Sequence, residues 1–288
     1  MHTVLESRSK KVIIGHDQPF CVIGERINPT GRKVFSEELR GGDLSTVRED
    51  AIAQTEAGAD MLDVNAGIPL VDESELLMDM LRVVQEVTDL PICIDSSVIE
   101  ALEAGLSVYE GKALVNSVTG EDERLEEILP LVARHGAAVI GLANDETGIP
   151  ETPQQRLDIA RKIVSAAGDH GIPPEDVVID PLAMTVGADT AAVTVTLEAI
   201  RLIRDELGVN MSLGASNVSF GLPQRHALGG AFLPMAMAAG LTSAIMSCSR
   251  QVVEAVRAAD LLLGHDEWGA RWIAAHRERQ AQEAAAGS

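Results

Sequence analysis

The feature that most constrains this chain is a rhythm. Eight short runs rich in Val, Ile and Leu recur about every thirty residues, each followed by a helical stretch. The runs are FCVIGERI (20–27), MLDVNAG (61–67), PICIDSS (91–97), KALVNSV (112–118), AAVIGLAN (137–144), VVIDPLA (177–183), MSLGASNVS (211–219) and SAIMSCS (243–249). Amphipathic segments lie between them, at 44–57, 73–87, 125–135, 154–170, 193–207 and 251–263. There apolar residues recur at steps of three and four, as in Ile159, Ile163, Val164 and Ala167. Strands that are apolar without alternation are covered on both faces, which implies a parallel sheet. Eight strand-then-helix units are the number that closes a barrel. The expectation is a single (β/α)8 TIM barrel of the α/β class. An open doubly wound sheet would need a Gly-rich phosphate turn after the first strand, and Glu25-Arg26-Ile27-Asn28-Pro29 supplies none. Gly58, Gly105, Gly136, Gly171, Gly208 and Gly240 are expected at or just after helix ends, where a left-handed cap favours glycine.

The barrel accounts for residues 20–263. Residues 1–19 are expected to form a short hairpin closing the barrel bottom, with 11–14 as one strand. Residues 264–288 are expected to form a charged, Ala-rich helical tail that frays. The chain carries 23 Lys and Arg against 44 Asp and Glu, a formal charge of −21. So acidic a surface repels phosphates and argues against nucleic acid. The two Trp, one Tyr and four Phe are too few for a base-stacking platform. No run of eighteen apolar residues free of charge suggests a membrane span, and the first twenty residues lack the apolar core of a signal peptide. The expected location is the cytoplasm. Cys21, Cys93 and Cys248 are too far apart for a zinc knuckle or a disulfide framework, and the seven histidines are scattered. No dedicated metal site is expected.

Active sites of such barrels sit at the C-terminal ends of the strands. The polar residues that end each run are therefore the candidates. They are Glu25, Arg26 and Asn28; Asp63 and Asn65; Asp95, Ser96 and Ser97; Asn116 and Ser117; Asn144 and Asp145; Asp180; then Ser216, Asn217 and Ser219. Any one of them suits a helix N-cap. Their presence on nearly every strand exceeds what capping requires. Carboxylates accept from ring N–H and exocyclic amino groups, and carboxamides serve either polarity. The ring suits a neutral, hydrogen-bond-rich heterocycle. It does not suit phosphate, which calls for Gly-rich turns and basic residues. A divalent metal on Asp63, Asp95 and Asp180 is the competing chemistry, but no D-x-D or H-E-x-x-H spacing accompanies them.

The same residues carry a resemblance. IGERINPTGRKVF (23–35), DVNAG (63–67), IDSS (94–97) and VNSV (115–118) resemble the methyltetrahydrofolate-binding domain of corrinoid-protein methyltransferases and of cobalamin-dependent methionine synthase. IDPLA (179–183), GASNVSFGLP (214–223) and FLPMAMAAGL (232–241) resemble the corrinoid-protein methyltransferases more closely still. The likeness runs in order from about residue 20 to residue 263, with one motif per strand. It places the chain among the pterin-binding barrels, which also include dihydropteroate synthase.

The resemblance implies that Asp95, Asn116 and Asp180 hold the pterin's amino-pyrimidinone edge. It implies that Asn217 lies near N5, the nitrogen that bears the methyl group, and assists catalysis with Asp180. Gly214 and Ser216 frame the Asn217 turn. Glu25, Arg26, Asn28, Asp63 and Asn65 match further positions around the substrate, and Arg225 is the expected contact for the aminobenzoyl-glutamate portion. The implied reaction moves a methyl group between N5 of 5-methyltetrahydrofolate or tetrahydrofolate and the cobalt of a corrinoid, in either direction. The cobalamin would be carried by a separate corrinoid protein, because Asp169-His170-Gly171 and His265-Asp266 do not make the D-x-H-x-x-G motif of a corrinoid module. Family members are typically homodimers. Dihydropteroate synthase is the alternative enzyme. It carries a Gly-Gly-x-Ser-Thr-Arg-Pro-Gly loop after strand two and an Arg-Val-His at the end of strand eight. This chain has Asn65-Ala66-Gly67-Ile68-Pro69 and Ser247-Cys248-Ser249 there. A non-catalytic folate-binding barrel is the alternative of another class.

Overall fold

The computed structural model describes residues 1–286, so the last two residues of the expected tail lie outside the described residues. The chain opens with an antiparallel hairpin, β1 (His2–Glu6) and β2 (Lys11–Gly15). Eight parallel strands follow: β3 (Cys21–Ile27), β4 (Met61–Asn65), β5 (Ile92–Asp95), β6 (Leu114–Thr119), β7 (Ala138–Leu142), β8 (Val177–Asp180), β9 (Asn210–Met211) and β10 (Ser243–Met246). Their order is β10-β3-β4-β5-β6-β7-β8-β9, as a nearly closed barrel requires. The connecting helices are α1 (Lys33–Arg40), α2 (Ser45–Glu56), α3 (Glu73–Val87), α4 (Ile99–Val108), α5 (Asp122–His135), α6 (Pro153–Asp169), α7 (Ala192–Leu207), α8 (Arg225–Ala239) and α9 (Arg250–Leu263). A last helix, α10 (Ala270–Ala286), follows. The expected TIM barrel with its hairpin and C-terminal helix is the observed fold. None of the described helices is long and apolar enough to cross a membrane.

Local chemistry explains the boundaries. The Asp72 carboxylate accepts from the Ser74 and Glu75 N–H groups and starts α3. Thr152 and Gln155 form a reciprocal capping box at α6, with Pro153 in the first turn. Gly136 and Gly208 end α5 and α7 with φ of 60° and 65°, the left-handed cap that glycine adopts most cheaply. Gly105 does not follow that pattern. It lies inside α4, and a Cβ there would meet Leu81, Ile94 and Leu77 side chains at 3.1, 3.2 and 3.3 Å. Its smallness serves close packing of α4 on α3 and β5, not a helix end.

The larger core fills the layer between strands and helices. A second cluster fills the barrel interior, joining Cys21, Ile23, Met61, Cys93, Leu114, Ile140 and Val178 to Leu5 and Ile14 of the hairpin. The hairpin is bonded in place as well: Tyr109 Oη donates to the Glu6 carbonyl at 2.8 Å, and Asn210 Nδ2 donates to the Ile14 carbonyl at 2.9 Å. The seventh barrel strand departs most from expectation. Of the run 211–219 only Met211 continues a strand; the chain then turns into a 3-10 helix at Ala215–Ser219. Two side chains and one backbone bond complete the closure that so short a strand cannot. Met211 N–H donates to Thr242 Oγ1 at 2.9 Å, Ser243 Oγ donates to the Met211 carbonyl at 2.9 Å, and Ile245 N–H donates to the Leu213 carbonyl at 2.9 Å.

Candidate functional site

Strand register builds the first half of the site. Asn65 pairs with Asp95 and Asp95 with Asn116, so three polar residues share one level at the ends of β4, β5 and β6. Residues paired across parallel strands point to the same face, here the barrel interior. Asp63 lies two residues below Asn65 on that face and is 2% exposed. Asn116 Nδ2 donates to Asp63 Oδ1 at 3.2 Å. Burial pushes the Asp63 carboxyl well above the usual carboxylate range, and the neighbouring Asp95 charge pushes it further. Burial also raises Asp95, to about 6, against the pull of hydrogen bonds from Asn65 and Asp63. The two carboxyls therefore titrate as a pair, with burial and mutual repulsion disfavouring the doubly charged state. Asn65 also accepts from Gly67 N–H at 2.9 Å, which turns the chain away from β4.

Asp180 ends β8, in register with Leu142. Its Oδ1 accepts from Leu182 N–H at 2.7 Å. Burial raises its carboxyl to about 7, opposed by that bond, by the Arg156 cation and by the Gly214 backbone. Leu182 sits at a φ of 65°, a left-handed conformation that a leucine rarely adopts.

The 3-10 turn after β9 carries Asn217. Its N–H donates to the Gly214 carbonyl at 3.1 Å, and its side chain is exposed at the mouth. A Cβ on Gly214 would lie 3.0 Å from Asn217 Nδ2. Glycine at 214 thus makes room for the carboxamide itself. Two groups grip the turn: Ser216 Oγ donates to Glu25 Oε1 at 2.7 Å, and Arg225 Nη2 donates to the Ser216 carbonyl at 2.9 Å. Arg225 also donates from Nε to Ser219 Oγ at 3.2 Å and stacks 4.7 Å over the Phe220 ring. The hydrogen bonds of Arg225 are thus to the turn itself, beside the mouth.

On β3 the strand register slips between Gly24 and Ile27, beside Glu25. Gln54 of α2 holds that irregularity: its buried Oε1 accepts from Arg26 N–H at 2.8 Å. The same oxygen lies 2.5 Å from where a Gly24 Cβ would stand. Arg26 is exposed and lies 3.7 Å from Asp50. Asn28 acts locally, accepting from Thr30 N–H at 2.9 Å. A cavity of about 420 Å³ opens between β3, α2, the Asn217 turn and the end of β10. Glu25, Arg26, Gln54, Ser216, Arg225 and Cys248 are among its lining residues, whereas Asp95, Asn116 and Asp180 lie outside it. The mouth is therefore bipartite: a carboxylate and carboxamide ring on β4, β5, β6 and β8, and a mixed-charge cavity on the other side of Asn217. Among the described residues no group of three or more His, Cys, Asp or Glu could hold a metal ion.

Two residues escaped the sequence reading, Gln54 and Arg156. Each is a polar side chain in phase with an apolar helix stripe, Gln54 with Val47 and Ala51, and Arg156 with Ile159, Ala160 and Ile163. That displacement from the solvent face was the available signal.

A parallel barrel with such a ring at its mouth defines a class of heterocycle-binding enzymes. The profile described as pterin binding enzyme matches residues 24–247, and this chain belongs to that family. It is 34% identical over 266 residues to a methylcorrinoid:tetrahydrofolate methyltransferase of Eubacterium limosum, covering 89% of this chain and 96% of the other. It is 34% identical over 247 residues to methionine synthase of Mycobacterium tuberculosis, covering 81% of this chain but 21% of that longer protein. Among solved structures it resembles DHPS of Yersinia pestis, with a TM-score of 0.71 at 16% identity over 92% of this chain and 99% of that one. Dihydropteroate synthase of Xanthomonas albilineans gives 0.67 at 20%, over 91% and 98%. At such identities the likeness is one of fold.

Proposed function

We propose that this chain is a methyltransferase moving a methyl group between N5 of a tetrahydrofolate and the cobalt of a corrinoid held by a separate protein. The observation that carries the reading is the identity along nearly the whole length of the Eubacterium limosum methyltransferase. The ring of Asp95, Asn116 and Asp180 supports it, since these groups complement the N–H and amino donors of a pterin edge. Dihydropteroate synthesis is less well supported: β10 leads into Ser247, Cys248 and Ser249, where the synthase carries its Arg-Val-His for pyrophosphate.

In this reading Asp95 and Asp180 accept from the pyrimidinone edge as carboxylates, and Asn116 fixes the ring's register. Asp63, below them, accepts from Asn116 Nδ2 and so helps orient that carboxamide. Asn217 faces N5. A tertiary amine is a poor leaving group unless its nitrogen gains a proton or a hydrogen bond as the C–N bond weakens. The Asn217 carboxamide supplies that hydrogen bond from a turn gripped by Glu25 and Arg225. A preorganised donor of this kind contributes roughly 3–4 kcal/mol at the transition state. A reduced corrinoid, when bound, supplies a strong metal nucleophile. The exposure of Asn217 and of Phe220 beside it fits delivery from outside the barrel.

The test follows loss of free cob(I)alamin absorbance on mixing with 5-methyltetrahydrofolate and the enzyme. Wild type is expected to turn over, and Asn217→Ala to react about 10²–10³ more slowly with only a modest loss of folate affinity. Wild type that binds folate without turnover would leave a binding barrel. A defect of Asn217→Ala confined to affinity would remove the role given to Asn217.

A further inference from the structure

We propose that Arg156, on α6 outside the barrel, is a positioning residue for Asp180, holding the turn that orients this carboxylate at the mouth. The proposal rests on the reading above that Asp180 binds the pterin. Arg156 is only 3% exposed. A guanidinium so deep ordinarily faces a carboxylate that offsets its lost hydration. Here all its hydrogen-bond partners are neutral oxygens. Nε donates to the Pro150 carbonyl at 3.3 Å, and Nη1 to the Pro181 and Leu182 carbonyls at 2.8 and 2.7 Å. A longer contact of 3.3 Å runs from Nη1 to Thr196 Oγ1.

The two shortest bonds bracket the residue that needs them. Leu182 is in the left-handed region at a φ of 65°, which costs a leucine free energy unless its surroundings fix it. Its carbonyl receives a second donor, Thr196 Oγ1 of α7 at 2.8 Å. With the carbonyls of 181 and 182 held, the Leu182 N–H points back at Asp180 Oδ1, 2.7 Å away. The path runs from guanidinium to two carbonyls, through one N–H, to the carboxylate. The cation and the Asp180 charge also attract one another across the turn, so Asp180 is the counter-charge that the contact set lacks.

The test is a double-mutant cycle on tetrahydrofolate binding, measured calorimetrically with the full chain. Arg156→Met removes both fork and charge, and Arg156→Lys keeps the charge without the fork. Thr196→Val relaxes the same turn from the other side. Arg156→Met is expected to weaken binding about tenfold or more in the wild-type background and less than about threefold in an Asp180→Asn background. Arg156→Lys is expected to fall between, with Thr196→Val losing binding in the same direction. Equal losses in both backgrounds would mean that Arg156 only stabilises the fold, and would overturn the proposal. If Arg156→Met does not fold, the cycle with Arg156→Lys is decided by the same comparison. An Asp180→Asn variant that binds tetrahydrofolate as wild type does would instead overturn the assignment of Asp180 itself, and the proposal with it.

Discussion

Single carboxylates here work against the fold in order to serve the site. Asp180 ionises near pH 7 in the folded chain and near 3.8 when unfolded, because burial disfavours its charge. Below pH 3.8 both states are protonated and the group costs nothing. As pH rises towards 7 the unfolded chain releases the proton first, so stability falls across that window and levels off above it. The accumulated cost is up to about 4 kcal/mol. Asp180→Asn keeps an oxygen for Leu182 N–H but cannot ionise. It is expected to melt higher than wild type at pH 8, to flatten the pH dependence between about 4 and 7, and to bind tetrahydrofolate more weakly. Melting curves across pH, with and without the ligand, check all three. An apo melting temperature at pH 8 equal to or below that of wild type would contradict the argument. The types and order of Asp63, Asp95, Asn116 and Asp180 were legible in the sequence. Their unequal charge states were not, since each follows from burial and from a neighbour on another strand.

Elements in this barrel meet the site through side chains that reach from behind. Gln54 of α2 replaces the strand partner that Arg26 N–H loses where β3 slips, and Gly24 leaves the room it needs. Gly24→Ala would drive Gln54 off that N–H and leave a part-buried donor unpaired. The expected cost is about 2–4 kcal/mol from overpacking and the lost bond together, read as a lower urea midpoint with an unchanged slope. Methyl transfer is expected to slow as well, because Glu25, the next residue, grips Ser216 beside Asn217. Normal stability in Gly24→Ala would mean that α2 yields without penalty. The periodicity of α2 placed the helix correctly. It gave no warning that a polar residue within its buried stripe sets the conformation of a neighbouring strand.

At the scale of the whole molecule the two ends of the barrel do different work. The bottom is closed by Leu5 and Ile14 on the inward cluster, and the top is left polar. Leu5→Ala is expected to cost about 2–5 kcal/mol, the usual loss for a buried leucine, while leaving folate affinity of the folded protein unchanged. Denaturant unfolding and calorimetric titration of the same sample check both halves, and a loss of affinity would show that the ends are coupled. Strand count, parallel sheet and the positions of α2, α3, α5, α6, α7 and α9 were legible in the sequence, because two-sided burial and helical phase are written along the chain. So was the ring of Asp and Asn, because the C-terminal ends of successive strands converge in this fold. The seventh strand was read too long. Apolar content cannot distinguish a strand from a 3-10 turn when the side chains of Thr242 and Ser243 help complete the closure. Arg156, Gln54 and the grip of Glu25 and Arg225 on Asn217 join residues far apart in sequence across separate elements. The chain by itself determined which chemistry gathers at the mouth. Only the tertiary structure decided which of those groups are harder to ionise and which are held in place by another, because burial and long-range contact exist only once the barrel has closed.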